Sequence, residues 1–375
     1  MFLPLKRRSN RAAGWLAAGL LYGAIGGVAA AAGAQGIGAV TAEPGSGAAG
    51  KADDAAGFVN TKPGGCDRQC LRDTANRYLE AMARDEPKLL RWTRDAKYTE
   101  NGMRLRVGEG LWATASALTA YRIYAIDPTD GEIGVITVVG ENGLPAILGL
   151  RLKVVNHQIS EAEHIVARSA QADGPAATLG RQAAPAIFAS AVPEGQRADR
   201  AALVAAANGY FNAIEQSDGG LAHFAPDAVR IENGAETCGP ASTKARSRGA
   251  APSRGADAGG DSTWRQMMSL GCAQQMSSGM YSYITQVRDR RIDVVDQQTG
   301  DVMAFVIFSH PGNVAAAHMP GYPVVTMPAA ARRPFDTQLA ELFKVRGGEI
   351  QQVEAVINSA AYGVSSGWDA AADGR

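Results

Sequence analysis

The chain has 375 residues, 37 basic side chains balanced by 37 acidic ones, and is 46% hydrophobic but only 6% aromatic. That length allows roughly two or three domains, each able to bury a core. The balanced charge offers no field to draw nucleic acid or an anionic surface, and no run after residue 40 is long and apolar enough to span a bilayer, so neither nucleic acid nor a membrane is an expected partner.

In chain order, Lys6, Arg7, Arg8 and Arg11 precede the apolar stretch Trp15–Ala32 and an Ala32-Gly33-Ala34 cleavage pattern. This predicts a signal peptide over 1–34 and export to a periplasmic or extracellular location, with an uncleaved anchor as the alternative. The Gly/Ala/Ser-rich residues 35–65 read as a flexible leader. Cys66, Cys70, Cys238 and Cys272 are an even set in an exported chain, which favours disulfides. Three connectivities are open, with Cys66–Cys70 and Cys238–Cys272 preferred. The spacing matches no zinc module and no pair of histidines accompanies it, so neither metal nor cofactor is expected.

Asp67 is a good N-cap, and Leu71, Ala75, Tyr78, Leu79 and Met82 then form one apolar helical face. Pro87 restarts a short helix through Trp92. Ala96–Glu100 reads as a strand ended by the Asn101-Gly102 turn, and Gly110–Ala120 as a second short helix. Tyr121–Asp127, Glu132–Val139, Pro145–Val155 and Gln158–Ala167 then alternate with turn signals, which predicts an antiparallel meander and an α+β unit.

This unit occurs twice. Asp67–Gly102 lies on Asp199–Gly234 without a gap, so that Asp67, Arg68, Leu71, Tyr78, Glu100, Asn101 and Gly102 recur as Asp199, Arg200, Leu203, Tyr210, Glu232, Asn233 and Gly234. Arg122, Ile123 and Asp127 reappear as Arg291, Ile292 and Asp296, and Lys153, Val154, Ile159 and Glu163 as Lys344, Val345, Ile350 and Glu354. The expected organisation is a first domain over 66–168, a linker over 169–198, a second domain over 199–363 and a tail over 364–375. The second domain carries insertions at 239–260 and 310–334, and the proline-rich one is a candidate lid.

The order helix, helix, strand, meander resembles the cone-shaped fold of nuclear transport factor 2-like and SnoaL-like proteins. The motifs Cys66-Asp67-x-x-Cys70-Leu71, Tyr98-Thr99-Glu100-Asn101-Gly102, Gly108-x-Gly110-Leu111-Trp112 and Arg290-Arg291-Ile292-x-Val294-Val295-Asp296 are similar to an uncharacterised tandem family of fungi and bacteria. The resemblance implies two tandem cones, each of helices packed on a curved antiparallel sheet around an apolar pocket, joined as an internal pseudo-dimer. The wider fold includes isomerases, cyclases and dehydratases as well as binding modules. No catalytic motif of that fold aligns onto this chain.

Glu100 stands where a strand leaves the helical layer, and a carboxyl half-buried in an apolar cone would have its pKa raised into the range of a general base. Tyr98 and His310 are the candidate acids. Asn101, Trp112, Tyr121, Tyr124, His164, Glu232 and Tyr281 are candidates for lining a pocket around a small-molecule ligand. Each also has a plainer explanation: turn chemistry for Asn101, core packing for the aromatics, a satisfied structural group for the histidines. Arg122 and Asp127, five apart on a strand, point to opposite faces. The expected function is a cofactor-free acid/base lyase, dehydratase or isomerase acting on an apolar or aromatic compound. The alternative is a non-catalytic ligand-binding or structural/dimerisation protein.

Overall fold

The computed structural model describes residues 65–239, 270–318, 324–327 and 332–368. The expected signal peptide, nearly all of the leader, most of the first insertion and part of the second lie outside the described residues.

Helix α1 (Arg68–Ala83) starts where expected, because the Asp67 side chain accepts the Cys70 N–H at 2.8 Å. A 3-10 turn at Pro87–Leu89 leads into β1 (Trp92–Glu100), which folds back as β2 (Met103–Leu105). A single turn of helix, α2 (Leu111–Thr114), precedes β3 (Ala115–Asp127), β4 (Glu132–Glu141), β5 (Leu144–Val155) and β6 (Gln158–Arg168). The helix expected to reach Ala120 is thus mostly strand. β4 runs on to Glu141 and offers Ala115, Ala117 and Leu118 ladder partners, and that pairing overrides local helix propensity.

The meander β3–β6 is antiparallel, but the sheet as a whole is not. β1 pairs parallel with β6, with Tyr98 opposite Ala162 and Glu100 opposite His164, giving the order β2-β1-β6-β5-β4-β3. Bulges interrupt the β1–β6 and β3–β4 ladders and increase their local twist.

The chain between the sheets carries two short helices, α3 (Pro175–Gly180) and α4 (Ala186–Ala189). Helix α5 (Arg200–Gln216) then opens a second set: β7 (Phe224–Glu232), β8 (Ala235–Cys238), α6 (Cys272–Ser277), β9 (Gln286–Asp296) and β10 (Asp301–His310). A two-residue hairpin, β11 (Ala316–Ala317) and β12 (Val325–Thr326), precedes β13 (Phe335–Arg346) and β14 (Glu349–Ala360). The second sheet has the order β8-β7-β14-β13-β10-β9, the first one repeated strand for strand, again with one parallel pair, β7–β14. The architecture is mixed α/β, two six-stranded sheets with few helices, consistent with two tandem curved-sheet domains.

Alternation along each strand divides the apolar side chains between two cores. On one face of the first sheet, Leu148, Leu150 and Val135 pack with Leu71, Tyr78 and Leu79 of α1. On the other, Ile123, Ile136 and Ile147 meet Val294, Phe305, Leu342 and Val356 of the second sheet. Leu179 and Phe188, from the short helices within the segment 169–198 expected as the linker, join this shared core. At its edge, Arg68 forms a bidentate pair with Asp296 (2.8 and 2.6 Å) and Arg200 pairs with Asp127 at 2.5 Å. Asp296 also accepts the Ile126 N–H and Asp127 the Val295 N–H. The pairs are the same contact made in both directions.

Disulfides join Cys66 to Cys70 and Cys238 to Cys272, which is compatible with an oxidising location. Among the described residues no helix is long and apolar enough to cross a membrane.

Candidate functional site

Beneath each long helix lies a buried polar cluster. In the first half, β1 places Tyr98 and Glu100 on one face, and the parallel rung sets His164 of β6 directly opposite Glu100. Tyr78 comes down from α1 and Trp112 from α2. The Trp112 indole N–H donates to the Tyr78 hydroxyl at 3.0 Å, and Tyr78 meets His164 Nε2 at 2.8 Å. His164 Nδ1 lies 3.3 Å from the Tyr98 hydroxyl, which donates to Glu100 Oε2 at 3.2 Å. The chain has one consistent polarity if His164 carries its proton on Nδ1. Burial pushes His164 down to about 4, so the ring is neutral, and lifts both tyrosines well above the usual phenol range.

Glu100 does not behave as a poised base. Burial acts to raise its pKa, but the Leu111 N–H (2.6 Å) and Arg168 (2.8 Å) outweigh it and hold the carboxyl below its ordinary value. No local pattern foretells this, because Arg168 is distant in the chain and reaches Glu100 only through the β1–β6 pairing.

The structure brings Tyr98, Glu100, Trp112 and His164 together, and leaves the other candidates of the first half elsewhere. His310 ends β10 in the other sheet, stacked on Phe335 (centroids 4.1 Å apart) and Tyr283, and burial pushes it down to about 4. It therefore does not join Glu100 as an acid; His164 occupies that place. Asn101 sits in the turn with φ 47° and pairs its amide with the Val166 backbone. Tyr121 belongs to the core between the sheets. Tyr124 donates to Asn76 at 2.7 Å, and the Arg72 guanidinium covers its ring.

The second half keeps the place and changes the chemistry. Tyr210 of α5 and Glu232 of β7 stand where Tyr78 and Glu100 stand in the first, but Arg230 replaces Tyr98. The rung that pairs Leu150 with His164 in the first half pairs Glu341 with Ala355 here, so the polar group has crossed to the neighbouring strand. Arg230 is 1% exposed. It lies 3.1 Å from Glu232, donates to Thr237 Oγ1 at 2.9 Å and to Gln275 Oε1 at 2.8 Å, and meets the Tyr281 hydroxyl. Tyr210 donates to Glu341 at 3.4 Å. Burial, together with the nearby Glu232 and against the pull of Arg230, pushes Glu341 up to about 8. Oε2 of Glu341 and Oε2 of Glu232 are buried with no hydrogen bond among the described residues. The Cys238–Cys272 disulfide ties β8 to the start of α6 and so fixes the wall that carries Gln275.

Of this second set the sequence pointed to Glu232 and Tyr281, and missed Arg230, Gln275 and Glu341. The available signal was a departure between the two halves: a tyrosine turned to arginine and a leucine to glutamate at matching positions.

A profile for a domain of unknown function (DUF8021) matches residues 196–357, which span the second sheet. No curated protein matches the chain. Among solved structures, a de novo designed protein with a curved β-sheet is similar at 16% identity and a TM-score of 0.23, over 27% of this chain and 88% of its own. A Silicibacter sp. tm1040 protein assigned as a polyketide cyclase is 13% identical with a TM-score of 0.25, over 42% of this chain and 89% of its own. AclR from Streptomyces galilaeus, assigned as a hydroxylase, is 14% identical with a TM-score of 0.22, over 43% and 81%.

Proposed function

We propose that this is an exported small-molecule protein whose working site is the polar cluster of the second half, and that it acts as a cofactor-free acid/base lyase or isomerase on a compound bearing a polarised oxygen, such as an aromatic or polyketide-like ketone. The observation that carries this reading is Glu341: a fully buried carboxyl that stays protonated near neutral pH, beside a buried arginine, with one oxygen lacking a hydrogen-bond partner among the described residues. Glu341 is the general acid towards the substrate oxygen, Arg230 stabilises negative charge developing there, and Glu232 takes the proton from the adjacent carbon. The first cluster satisfies its own hydrogen bonds and keeps Glu100 ionised, so its role is to hold the cone together. A non-catalytic binding role is the second reading, favoured by the burial of every member of the second cluster.

Turnover and thermal shift with small aromatic and polyketide-like compounds test this on wild type, Glu341→Gln and Glu100→Gln. A ligand at a hundred times its Kd stabilises the fold by about 2.7 kcal/mol. The expected result is product from wild type and from Glu100→Gln, with turnover by Glu341→Gln reduced about 10²–10⁴-fold. Undiminished turnover by Glu341→Gln removes the acid role. Equal binding by all three without product supports the binding protein.

A further inference from the structure

The first half carries a second constellation that the proposed reaction does not use. Cys70 Sγ lies 3.4 Å from His157 Nδ1, although the two residues are far apart in the chain. The donor atoms of Cys66, Cys70 and His157 all fall within 4.8 Å of one another. His157 is exposed in the β5–β6 turn with φ 59°, Cys70 is half-buried in the first turn of α1, and Cys66 is buried. The three are also private to this half. At the equivalent repeat positions stand Ala198, Ala202 and Gly348, none of which offers a side-chain donor. The bond closes a separation of only four residues and ties no distant elements together, whereas Cys238–Cys272 spans 34 and joins a strand to a helix.

We infer that Cys66, Cys70 and His157 form a redox-gated site for a soft divalent cation such as Zn²⁺: closed as the disulfide, and opened by an external dithiol to give a Cys2His ligand set. In the opening step a thiolate of the dithiol attacks Sγ of the accessible Cys70. The protein S–S bond breaks, a mixed disulfide forms, and Cys66 leaves as the thiolate. The second thiol of the reagent then displaces Cys70 and leaves as the oxidised cyclic disulfide, so two electrons pass to the protein. Binding a divalent cation to the resulting two thiols and the neutral imidazole releases two protons, and solvent takes the fourth position of a tetrahedral shell. The imidazole is already at the sulfur in the closed form, so opening requires no large movement of the turn.

The test is mild reduction of the whole folded chain with dithiothreitol, anaerobic removal of the reagent, alkylation mapping by mass spectrometry, and titration with Co²⁺ as the probe. The expected result is alkylation at Cys66 and Cys70 with Cys238–Cys272 intact, an unchanged far-UV spectrum, and one Co²⁺ bound with thiolate-to-cobalt charge-transfer bands. His157→Ala is expected to remain reducible but to lose at least about tenfold in Co²⁺ affinity. Reduction only on unfolding, no charge-transfer band in the reduced folded chain, or a Co²⁺ affinity unchanged by His157→Ala would each overturn the proposal. Because His157→Ala keeps both cysteines, its fold can be checked in the oxidised state before the metal is added.

Discussion

Single buried ionisable residues dominate the acid–base behaviour of this fold, and they pull in two directions. Burial raises Glu341 and Glu354 to about 8 and Glu132 to about 7, while it lowers His164 and His310 to about 4. A carboxyl raised in the folded state keeps a proton that the unfolded chain releases above its ordinary value of 4.5, so its contribution to stability is lost as pH rises towards the folded value. A histidine lowered in the folded state refuses a proton that the unfolded chain takes up below 6.5, so stability is lost as pH falls from there towards 4. Above 6.5 the histidines no longer contribute, and the raised carboxyls are expected to make stability decline between pH 6.5 and 8. Glu341→Gln removes one titrating group, and should reduce that decline by up to about 1.4 kcal/mol per pH unit. Urea denaturation of wild type and variant across that window measures it; parallel curves would mean that Glu341 is ionised in the fold. Glu100→Gln should behave differently, because Arg168 and the Leu111 N–H each lose an ionised acceptor. Its expected cost is about 1–3 kcal/mol at pH 7, read from the same denaturation curves.

At the scale of elements, the Asn-Gly turn shows how a recurring motif serves the strand rather than a pocket. Asn101 and Asn233 both adopt φ 47°, and each amide extends the parallel ladder by one rung: Asn101 pairs with Val166 (3.3 and 2.8 Å) and Asn233 with Ile357 (3.0 and 2.8 Å). Gly102 follows with φ +75°, and a Cβ there would meet Gln338 and the Ser365 carbonyl. Asn101→Ala should cost about 1–3 kcal/mol through the unpaired backbone groups, and Asn101→Asp, which keeps the acceptor for the Val166 N–H, should cost less. Chemical denaturation ranks them; equal losses would place the effect in backbone strain instead. This turn was legible in the sequence because its chemistry is local, as were the helical faces of α1 and α5 and the alternating strands of the meander. Non-local pairing was not. Nothing near Trp92–Glu100 shows that this strand runs parallel to β6, and so nothing shows that His164 faces Glu100 or that Arg168 neutralises it. The same blindness hid Glu341, one of several polar residues in its strand with no local sign of its partners, and the approach of His157 to Cys70.

At the scale of the molecule, the two sheets meet through an interface that reads the same from either side. Arg68 at the start of α1 reaches Asp296 at the end of β9, and Arg200 at the start of α5 reaches Asp127 at the end of β3. Each aspartate also accepts a backbone N–H from the opposite sheet, Asp296 from Ile126 and Asp127 from Val295. The contact that the start of one long helix makes with the end of a strand in the other half is thus made in both directions. The aspartates are 1% exposed and the arginines are a quarter to a third exposed, so each pair is only partly shielded from solvent. Removing Asp296 leaves Arg68 without its carboxylate, removing Asp127 leaves Arg200 with Asp130 alone, and either change unpairs a buried N–H, so Asp127→Ala or Asp296→Ala should cost about 1–3 kcal/mol each, below that of a fully buried pair. The two aspartates end neighbouring strands and clamp the same β3–β9 seam, so they should not act independently. Once one clamp is broken and the seam relaxes, the second has less to hold, and the double variant should cost less than the two single variants together by more than about 0.5 kcal/mol. A double-mutant cycle by calorimetry decides it. Strict additivity would show two separate anchors, whereas the expected shortfall would show that the halves are held as one cooperative unit through the seam.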